Sequence, residues 1–192
     1  MVKRIVIIGP ESTGKSTLCS QLAEHFNTIW CPEYAREYLL TNGTEYQYDD
    51  LLTIAKGQIV IEDQYALQLE KESTDESPLL FIDTDMYVMK VWCEYVFEKC
   101  HPYIIRMIAE RRYDLYLFCN IDLPWTRDEL REYPDEQPRR ELYRLYKDIL
   151  VNQTVPFVEI SGKEQERTNK AIKAVNDFLI QKASLIPPRE GL

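Results

Sequence analysis

The chain has 192 residues, of which 45% are hydrophobic and 29% are charged, and its formal net charge is −9. This length suits one folded domain, and no low-complexity tract suggests disorder. The acidic balance argues against a partner held chiefly through a nucleic-acid backbone, and no apolar run approaches the roughly 18 residues of a membrane span. The N-terminus enters an apolar run at once and leaves no room for a cleavable signal peptide. We therefore expect a cytoplasmic protein with no nucleic-acid partner and no membrane partner.

Short apolar runs alternate with helical patterns along the whole chain. The runs predict five buried strands, at residues 4–8, 28–31, 79–82, 115–119 and 157–160. Between them, apolar residues recur at helical spacing, with breaks predicted at Asn42-Gly43 and at His101-Pro102. This alternation predicts an α/β fold, in which a five-stranded parallel sheet carries helices on both faces and binds ligands at the carboxyl ends of its strands.

The strongest chemical signal follows the first predicted strand. The run Gly9-Pro10-Glu11-Ser12-Thr13-Gly14-Lys15-Ser16 matches GxxxxGK[ST] in the strand-then-helix context that a phosphate-binding loop (P-loop) requires. Glycines let the backbone wrap the phosphates, Lys15 reaches the β- and γ-phosphates, and Ser16 ligates Mg²⁺. We therefore predict a P-loop NTPase fold that binds ATP and Mg²⁺. The predicted cofactor-binding residues are Gly9, Glu11, Ser12, Thr13, Gly14, Lys15, Ser16 and Thr17.

A phosphate loop alone does not separate kinases from switches or motors, so the polar residues after the other strands matter. Asp83 and Asp85 directly follow the third predicted strand, where a carboxylate can hold Mg²⁺ or accept the proton of an incoming hydroxyl. Glu33 follows the second strand, with Arg36 one helical turn later. Two structural alternatives stay open. Asp83 or Thr84 would cap a helix, and Glu33 and Arg36 would form a surface ion pair.

The charged, proline-punctuated segment 122–153 is predicted to be a lid over the site. Its guanidinium groups suit the charge of a transferring phosphoryl group, although a solvated helix face paired with glutamates is the alternative for most of them. We expect one or two of Arg127, Arg131, Arg139 and Arg140 to be functional. We expect a single P-loop kinase domain over residues 1–186 and a loose C-terminal tail over residues 187–192.

The ordered set of motifs resembles the ribosylnicotinamide kinase module of the bacterial NadR-like proteins, over about residues 3–180. The first motif is generic, whereas the set is fairly specific. It comprises Gly9 to Thr17, Glu33-Tyr34-Ala35-Arg36-Glu37, Asp83-Thr84-Asp85, and Asp122-Leu123-Pro124-Trp125 with Asp128 and Arg131. The resemblance implies transfer of the ATP γ-phosphate to the 5′-hydroxyl of nicotinamide riboside, which gives nicotinamide mononucleotide for NAD synthesis. Longer family members carry an adenylyltransferase domain, and some a DNA-binding domain, ahead of this module. We expect neither of those activities here.

The motif set and the resemblance together define the expected site. The expected catalytic residues are Lys15, Glu33, Asp83 and Arg131, and the expected metal residues are Ser16 and Asp83. The expected acceptor-binding residues are Glu33, Arg36, Asp85 and Trp125. A pyridinium ring favours aromatic faces, and Trp125, Trp92 and Tyr87 are candidates, with core packing as the alternative. By analogy with related kinases, adenine is expected near Ser161-Gly162.

Other activities remain open at this point. A deoxynucleoside kinase or nucleoside monophosphate kinase would share the architecture, and a regulatory P-loop ATPase would lack a small-molecule acceptor. No NKxD motif for guanine appears, because Asn169-Lys170-Ala171-Ile172 lacks the aspartate. The expected partner is a small-molecule substrate, and homo-oligomer formation is left open.

Overall fold

The computed structural model describes residues 1–130 and 135–184, and a five-stranded parallel sheet forms its centre. The strands are β1 (Lys3–Ile8), β2 (Ile29–Cys31), β3 (Leu79–Asp83), β4 (Leu115–Cys119) and β5 (Phe157–Ile160). Their order across the sheet is β2-β3-β1-β4-β5, and every neighbouring pair is parallel. The predicted fold class is confirmed, and each predicted strand boundary falls within one residue of the observed one. Arg131 and the tail at 187–192 lie outside the described residues.

Helices connect the strands and cover both faces of the sheet. They are α1 (Lys15–His25), α2 (Tyr34–Asn42), α3 (Tyr48–Glu72), α4 (Met86–Phe97), α5 (Pro102–Glu110), α6 (Glu136–Asn152) and α7 (Glu164–Ser184). The predicted break at His101-Pro102 separates α4 from α5, because proline suits the first turn of a helix but not its interior. No helix in the described part of the chain is both long enough and apolar enough to cross a membrane.

The segment predicted as a lid is largely helix α6. The buried residues of α6 are Arg139, Leu142, Tyr146 and Leu150, which recur at the spacing of a helix face. The last three belong to the apolar core that α3 and α4 also enter. This part of segment 122–153 is therefore packed onto the body of the domain, and the described residues 120–130 form an irregular connection next to the phosphate loop.

Alternation along β1 divides the core into two layers. Val6 and Ile8 face the layer that α3, α4 and α6 cover, whereas Ile5 and Ile7 face the layer formed by α1 and α7. Successive strand residues point to opposite faces, so a β-branched run buried on both sides suits a central parallel strand. The strand order reverses around β1, and the loops after β1, β3 and β4 therefore meet at one carboxyl edge.

Candidate functional site

The loop between β1 and α1 has the backbone geometry of a phosphate cradle. Gly9 has φ 148°, and a Cβ there would lie 2.9 Å from the carbonyl oxygen of Cys119. Gly14 has φ 76° in the left-handed region and forms the N-cap of α1. The Thr13 hydroxyl donates to the Pro10 carbonyl at 2.7 Å and closes the loop. A loop of this shape turns backbone N–H groups toward one point at a helix N-terminus, which suits an anion.

Lys15, Ser16 and Asp83 lie together beside this cradle. The Lys15 ammonium donates to the Pro10 carbonyl at 3.1 Å, inside the loop. The Ser16 hydroxyl donates to Asp83 Oδ2 at 2.5 Å. Asp83 is 1% exposed, and its Oδ1 has no hydrogen-bond partner among the described residues. A buried carboxylate oxygen next to a serine hydroxyl is a fitting donor set for Mg²⁺, which prefers oxygen ligands.

A left-handed residue determines where the side chains after β3 point. Thr84 has φ 77°, which is unusual for a β-branched residue and costs about 1–3 kcal/mol. Its N–H donates to the Ile7 carbonyl at 3.3 Å, and its hydroxyl donates to Glu33 Oε1 at 3.4 Å. The strand ends at Asp83, and α4 begins three residues later at Met86. Thr84 therefore links the end of β3 to the carboxylate that follows β2.

Glu33 and Asp83 are two carboxylates that face the same lysine. Burial raises the pKa of Asp83, and the charge of Lys15 and the Ser16 hydrogen bond oppose that rise. Burial also raises the pKa of Glu33, and the charge of Asp83 raises it further. Lys15 and the Thr84 hydrogen bond act in the opposite direction on Glu33. A carboxylate with a raised pKa is a better proton acceptor, so this pair suits general-base chemistry next to bound phosphate.

One cavity of about 560 Å³ begins at the phosphate loop. It continues into a second compartment, which is the part lined by residues beyond the loop. Residues 9–17 form one wall of the cavity. Beyond the loop, the polar and charged lining residues are Glu33, Arg36, Asp83 and Asp128, and the aromatic ones are Trp30, Trp92, Tyr95 and Tyr146. The predicted residues Lys15, Glu33, Arg36 and Asp83 thus share one space.

Arg36 closes one side of this cavity. Its guanidinium donates twice to the Asp128 carboxylate, at 3.2 and 3.1 Å, and so joins α2 to the connection at 120–130. A paired guanidinium and carboxylate of this geometry fixes orientation as well as distance. Arg36 therefore forms an ion pair with Asp128. The surface pair with Glu33, which the sequence left open as an alternative, is not the one that forms.

Trp125 lies against the outside of the phosphate loop. Its indole N–H donates to Glu11 Oε1 at 3.2 Å, and the next backbone N–H, of Thr126, donates to the Ser12 hydroxyl at 2.9 Å. Trp125 is absent from the cavity lining, whereas Trp30 and Trp92 are part of it. These contacts hold the indole on the loop side and favour Trp30 and Trp92 as the rings next to the acceptor, and stacking by Trp125 stays a prediction.

Asp85 has a structural role at the start of α4. Its carboxylate accepts from the backbone N–H groups of Tyr87 at 3.0 Å and Val88 at 3.4 Å, and from the Tyr116 hydroxyl at 2.8 Å. It caps α4, and burial raises its pKa to about 7. Asp85 does not line the cavity. Asp85 therefore forms the helix cap that the sequence offered at Asp83 or Thr84, and acceptor binding by Asp85 stays a prediction.

The predicted lid arginines do not reach the cavity within the described residues. Arg139 is buried and donates to the Leu123 carbonyl at 3.2 Å, Arg140 pairs with Glu136, and Arg127 is exposed. Arg131 was the expected catalytic arginine, and no position is described for it. Conversely, the sequence did not identify Trp30, Tyr95 or Tyr146. Trp30 lies in a predicted strand and the two tyrosines have ordinary helical core spacing, so no local signal distinguished them.

The comparisons with known proteins agree with this geometry. The AAA domain family matches residues 4–167. The chain is 31% identical over 183 residues to the trifunctional NAD biosynthesis/regulator protein NadR of Escherichia coli (strain K12), covering 93% of this chain and 43% of the relative. It is 31% identical over 178 residues to the protein of the same name from Salmonella typhimurium, covering 91% of this chain and 41% of the relative. The chain spans less than half the length of these curated relatives.

Two crystal structures of NadR proteins share the fold. One, in complex with NR, has a TM-score of 0.75 at 26% identity and covers 92% of this chain and 49% of that chain. The other, in complex with NAD and AMP-PNP, has a TM-score of 0.71 at 25% identity and covers 100% of this chain and 52% of that chain. With its phosphate loop and a family match over most of its length, this chain belongs to the AAA domain family of P-loop proteins and is similar to the bacterial NadR proteins.

Proposed function

We propose that this protein transfers the γ-phosphate of ATP to the 5′-hydroxyl of nicotinamide riboside and so produces nicotinamide mononucleotide. The observation that carries the proposal is the single cavity that contains both the phosphate loop and an aromatic, acidic compartment. Direct transfer needs donor and acceptor in one enclosed space with the reacting oxygens aligned, and positioning of this kind supplies much of the catalysis.

The lining of the second compartment favours a cationic acceptor. Nicotinamide riboside carries a fixed pyridinium charge, which aromatic faces and nearby carboxylates stabilise. Among the described residues, Arg36 is the one arginine in the cavity lining, and its guanidinium is paired with Asp128. The aromatic rings available are Trp30, Trp92, Tyr95 and Tyr146. An acceptor with a phosphate group of its own would need more positive charge than this lining presents.

The relatives support both the ATP donor and the nicotinamide riboside acceptor of the proposed reaction. NadR proteins are described by their role in NAD biosynthesis, and one of their structures was determined with NR, the other with NAD and the ATP analogue AMP-PNP. Since the present chain covers about half of each of those structures, we assign to it only the kinase reaction and not the other functions of the trifunctional relatives.

Each residue has a role that follows from its position. Backbone N–H groups of the loop and the Lys15 ammonium bind the β- and γ-phosphates. Ser16 and Asp83 would hold Mg²⁺, which neutralises charge on the phosphate oxygens when bound. Glu33 would orient the acceptor hydroxyl and take its proton, and the rise in its pKa caused by burial and the neighbouring Asp83 supports this role. Arg36 holds the connection at 120–130 over the cavity through Asp128.

The decisive experiment measures ADP release with Mg²⁺ and ATP against nicotinamide riboside, deoxynucleosides and nucleoside monophosphates. We expect release that depends on nicotinamide riboside, with stoichiometric formation of nicotinamide mononucleotide. Lys15→Ala should remain folded and lose turnover by orders of magnitude, because its ammonium compensates charge in the transition state. Phosphorylation of deoxynucleosides or nucleoside monophosphates alone would reassign the acceptor. ADP release without any acceptor would indicate a regulatory ATPase.

A further inference from the structure

We propose that Arg167 is a positioning residue that holds the nucleotide-binding loops in their binding conformation. Arg167 lies on α7 and is 4% exposed. One terminal nitrogen, Nη2, donates to the carbonyls of Thr13 and Asn120, each at 3.0 Å. The other, Nη1, donates to the Gly162 carbonyl at 3.1 Å and to Asp122 Oδ1 at 2.7 Å. A single side chain therefore joins three loops that the phosphate-loop motif does not connect.

The three loops belong to different strands at the same edge of the sheet. Thr13 lies in the loop after β1, Asn120 and Asp122 follow β4, and Gly162 follows β5. Asp122 reinforces the junction because it also accepts from the Gly162 N–H, at 2.6 Å. Ligands of parallel α/β sheets bind outside this edge. The junction therefore fixes the spacing of the loops that would surround a bound nucleotide.

The contact with Thr13 determines which way a peptide of the cradle faces. In a trans peptide the carbonyl and the next N–H point in opposite directions, and no cis peptide occurs among the described residues. The Thr13 carbonyl points at the buried Arg167 guanidinium, so the Gly14 N–H points away from it. Gly14 lines the cavity and, as a glycine, could adopt more than one orientation. Arg167 thus selects the orientation in which this N–H is available to phosphate.

Arginine is suited to this junction in a way that lysine is not. A guanidinium presents donors in a fixed planar fork and can serve carbonyls on several sides at once, whereas an ammonium is a point charge with three donors. The charge of Arg167 is balanced by Asp122. Although burial opposes ionisation, the Gly162 N–H and Arg167 keep the pKa of Asp122 low. Removal of the guanidinium would leave buried carbonyls without their donor.

A matched control distinguishes positioning from general stability. Arg111 is also largely buried, and it donates to Glu62 at 2.6 Å and to Asp63 at 2.7 Å. It precedes β4 and so lies at the edge opposite the phosphate loop. Truncation of Arg111 should destabilise the fold without touching the nucleotide loops. The comparison of Arg167 with Arg111 therefore separates loss of stability from loss of the cradle.

The experiment compares Arg167→Met and Arg167→Lys with Arg111→Met. Calorimetry gives the Kd for AMP-PNP with Mg²⁺, and thermal unfolding without ligand gives Tm. We expect Arg167→Met to raise Kd at least tenfold, and Arg167→Lys to recover part of this loss. Arg111→Met should lower Tm but change Kd less than about twofold. In turnover assays, the KM for ATP should rise more than the KM for the acceptor when Arg167 is changed.

The proposal would be overturned if both Arg167 variants kept the wild-type Kd for AMP-PNP. It would also be overturned if their loss of AMP-PNP affinity were no larger than that of Arg111→Met. If Arg167→Met fails to fold, Arg167→Lys alone decides, since an unchanged Kd in that variant is enough to reject it. The inference rests on the proposed function only through nucleotide binding. A wild-type protein that binds AMP-PNP and ignores nicotinamide riboside would contradict the proposed acceptor, while the Arg167 comparison would still stand.

Discussion

Ser16 and Asp83 are hydrogen-bonded at 2.5 Å although they are 67 residues apart in the chain. The bond ties the first turn of α1 to the last residue of β3, and it occupies Oδ2 of the carboxylate. The other oxygen, Oδ1, is buried and has no hydrogen-bond partner among the residues described. The loop motif and the strand end thus supply one oxygen-rich position beside the phosphate cradle.

Asp83→Asn should weaken the use of Mg²⁺ more than the binding of acceptor. Asparagine can still accept from Ser16, but it removes the negative charge that a cation requires. We expect the Mg²⁺ concentration for half-maximal turnover to rise at least about tenfold, because charge-bearing oxygens dominate Mg²⁺ binding. The measurement is turnover against Mg²⁺ at saturating ATP. Asp85→Asn is the control, and an equal Mg²⁺ response in both variants would contradict the assignment.

Glu33→Gln should lower kcat while leaving the KM for ATP nearly unchanged. Glu33 lines the cavity beside the phosphate loop, and loss of a general base typically costs about 10²–10⁴-fold in rate. Steady-state kinetics with both substrates varied would measure the effect. Glu37→Gln, at an exposed position on α2 one turn after Glu33, is a matched control. Wild-type kcat in Glu33→Gln would remove Glu33 from the chemistry and leave Asp83 as the remaining candidate.

Trp92→Leu should weaken the binding of nicotinamide riboside more than the binding of a neutral acceptor. Trp92 lines the cavity, and loss of a π-face next to a cation costs about 0.5–2 kcal/mol, or a few-fold to some thirty-fold in KM. Since the Trp92 indole also donates to the Tyr46 hydroxyl at 2.8 Å, Trp92→Phe is needed as a control that removes this bond and keeps an aromatic face. Trp125→Leu should have little effect on the acceptor. A larger acceptor effect at Trp125 than at Trp92 would show that Trp125 is the ring in contact with the acceptor.

Asp85→Asn should change the pH dependence of stability. Burial raises the pKa of Asp85 to about 7 in the folded protein, above the ordinary 3.8. Between these two pH values the unfolded chain releases a proton that the folded chain retains, so the wild type loses up to about 4 kcal/mol as pH rises through this window. Asparagine does not titrate. The unfolding free energy of Asp85→Asn should therefore rise relative to that of the wild type from about pH 4 to pH 7. Above about pH 7 the difference between the two proteins should stay constant.

Urea unfolding at several pH values, with the exposed Asp75→Asn as a control, would measure this difference. Other titrating groups are common to the variants and cancel in the comparison. A difference that does not vary with pH would show that Asp85 is ionised in the folded protein throughout this range.

Local sequence patterns were enough to predict the fold class and the phosphate loop. Buried apolar runs determine the central strands, because a strand covered on both faces needs apolar residues at successive positions. The phosphate loop was also predictable from a short stretch of sequence, since Gly9, Gly14 and Lys15 lie close together where β1 leads into α1. Its glycines have the positive φ values that other residues rarely adopt. The sequence also predicted that Glu33 and Asp83 lie at strand ends, whereas the structure shows that these two strands, β2 and β3, are neighbours.

The tertiary structure alone decided which of several similar side chains enter the site. Asp83 and Asp85 are two residues apart, and the left-handed Thr84 sends one to the phosphate loop and the other to the cap of α4. Trp125 is held against the phosphate loop by Glu11, a contact over 114 residues of chain. Arg167 reaches Thr13 across 154 residues. Side-chain direction at such contacts depends on how distant segments pack, and residue spacing along the chain carries no information about that packing.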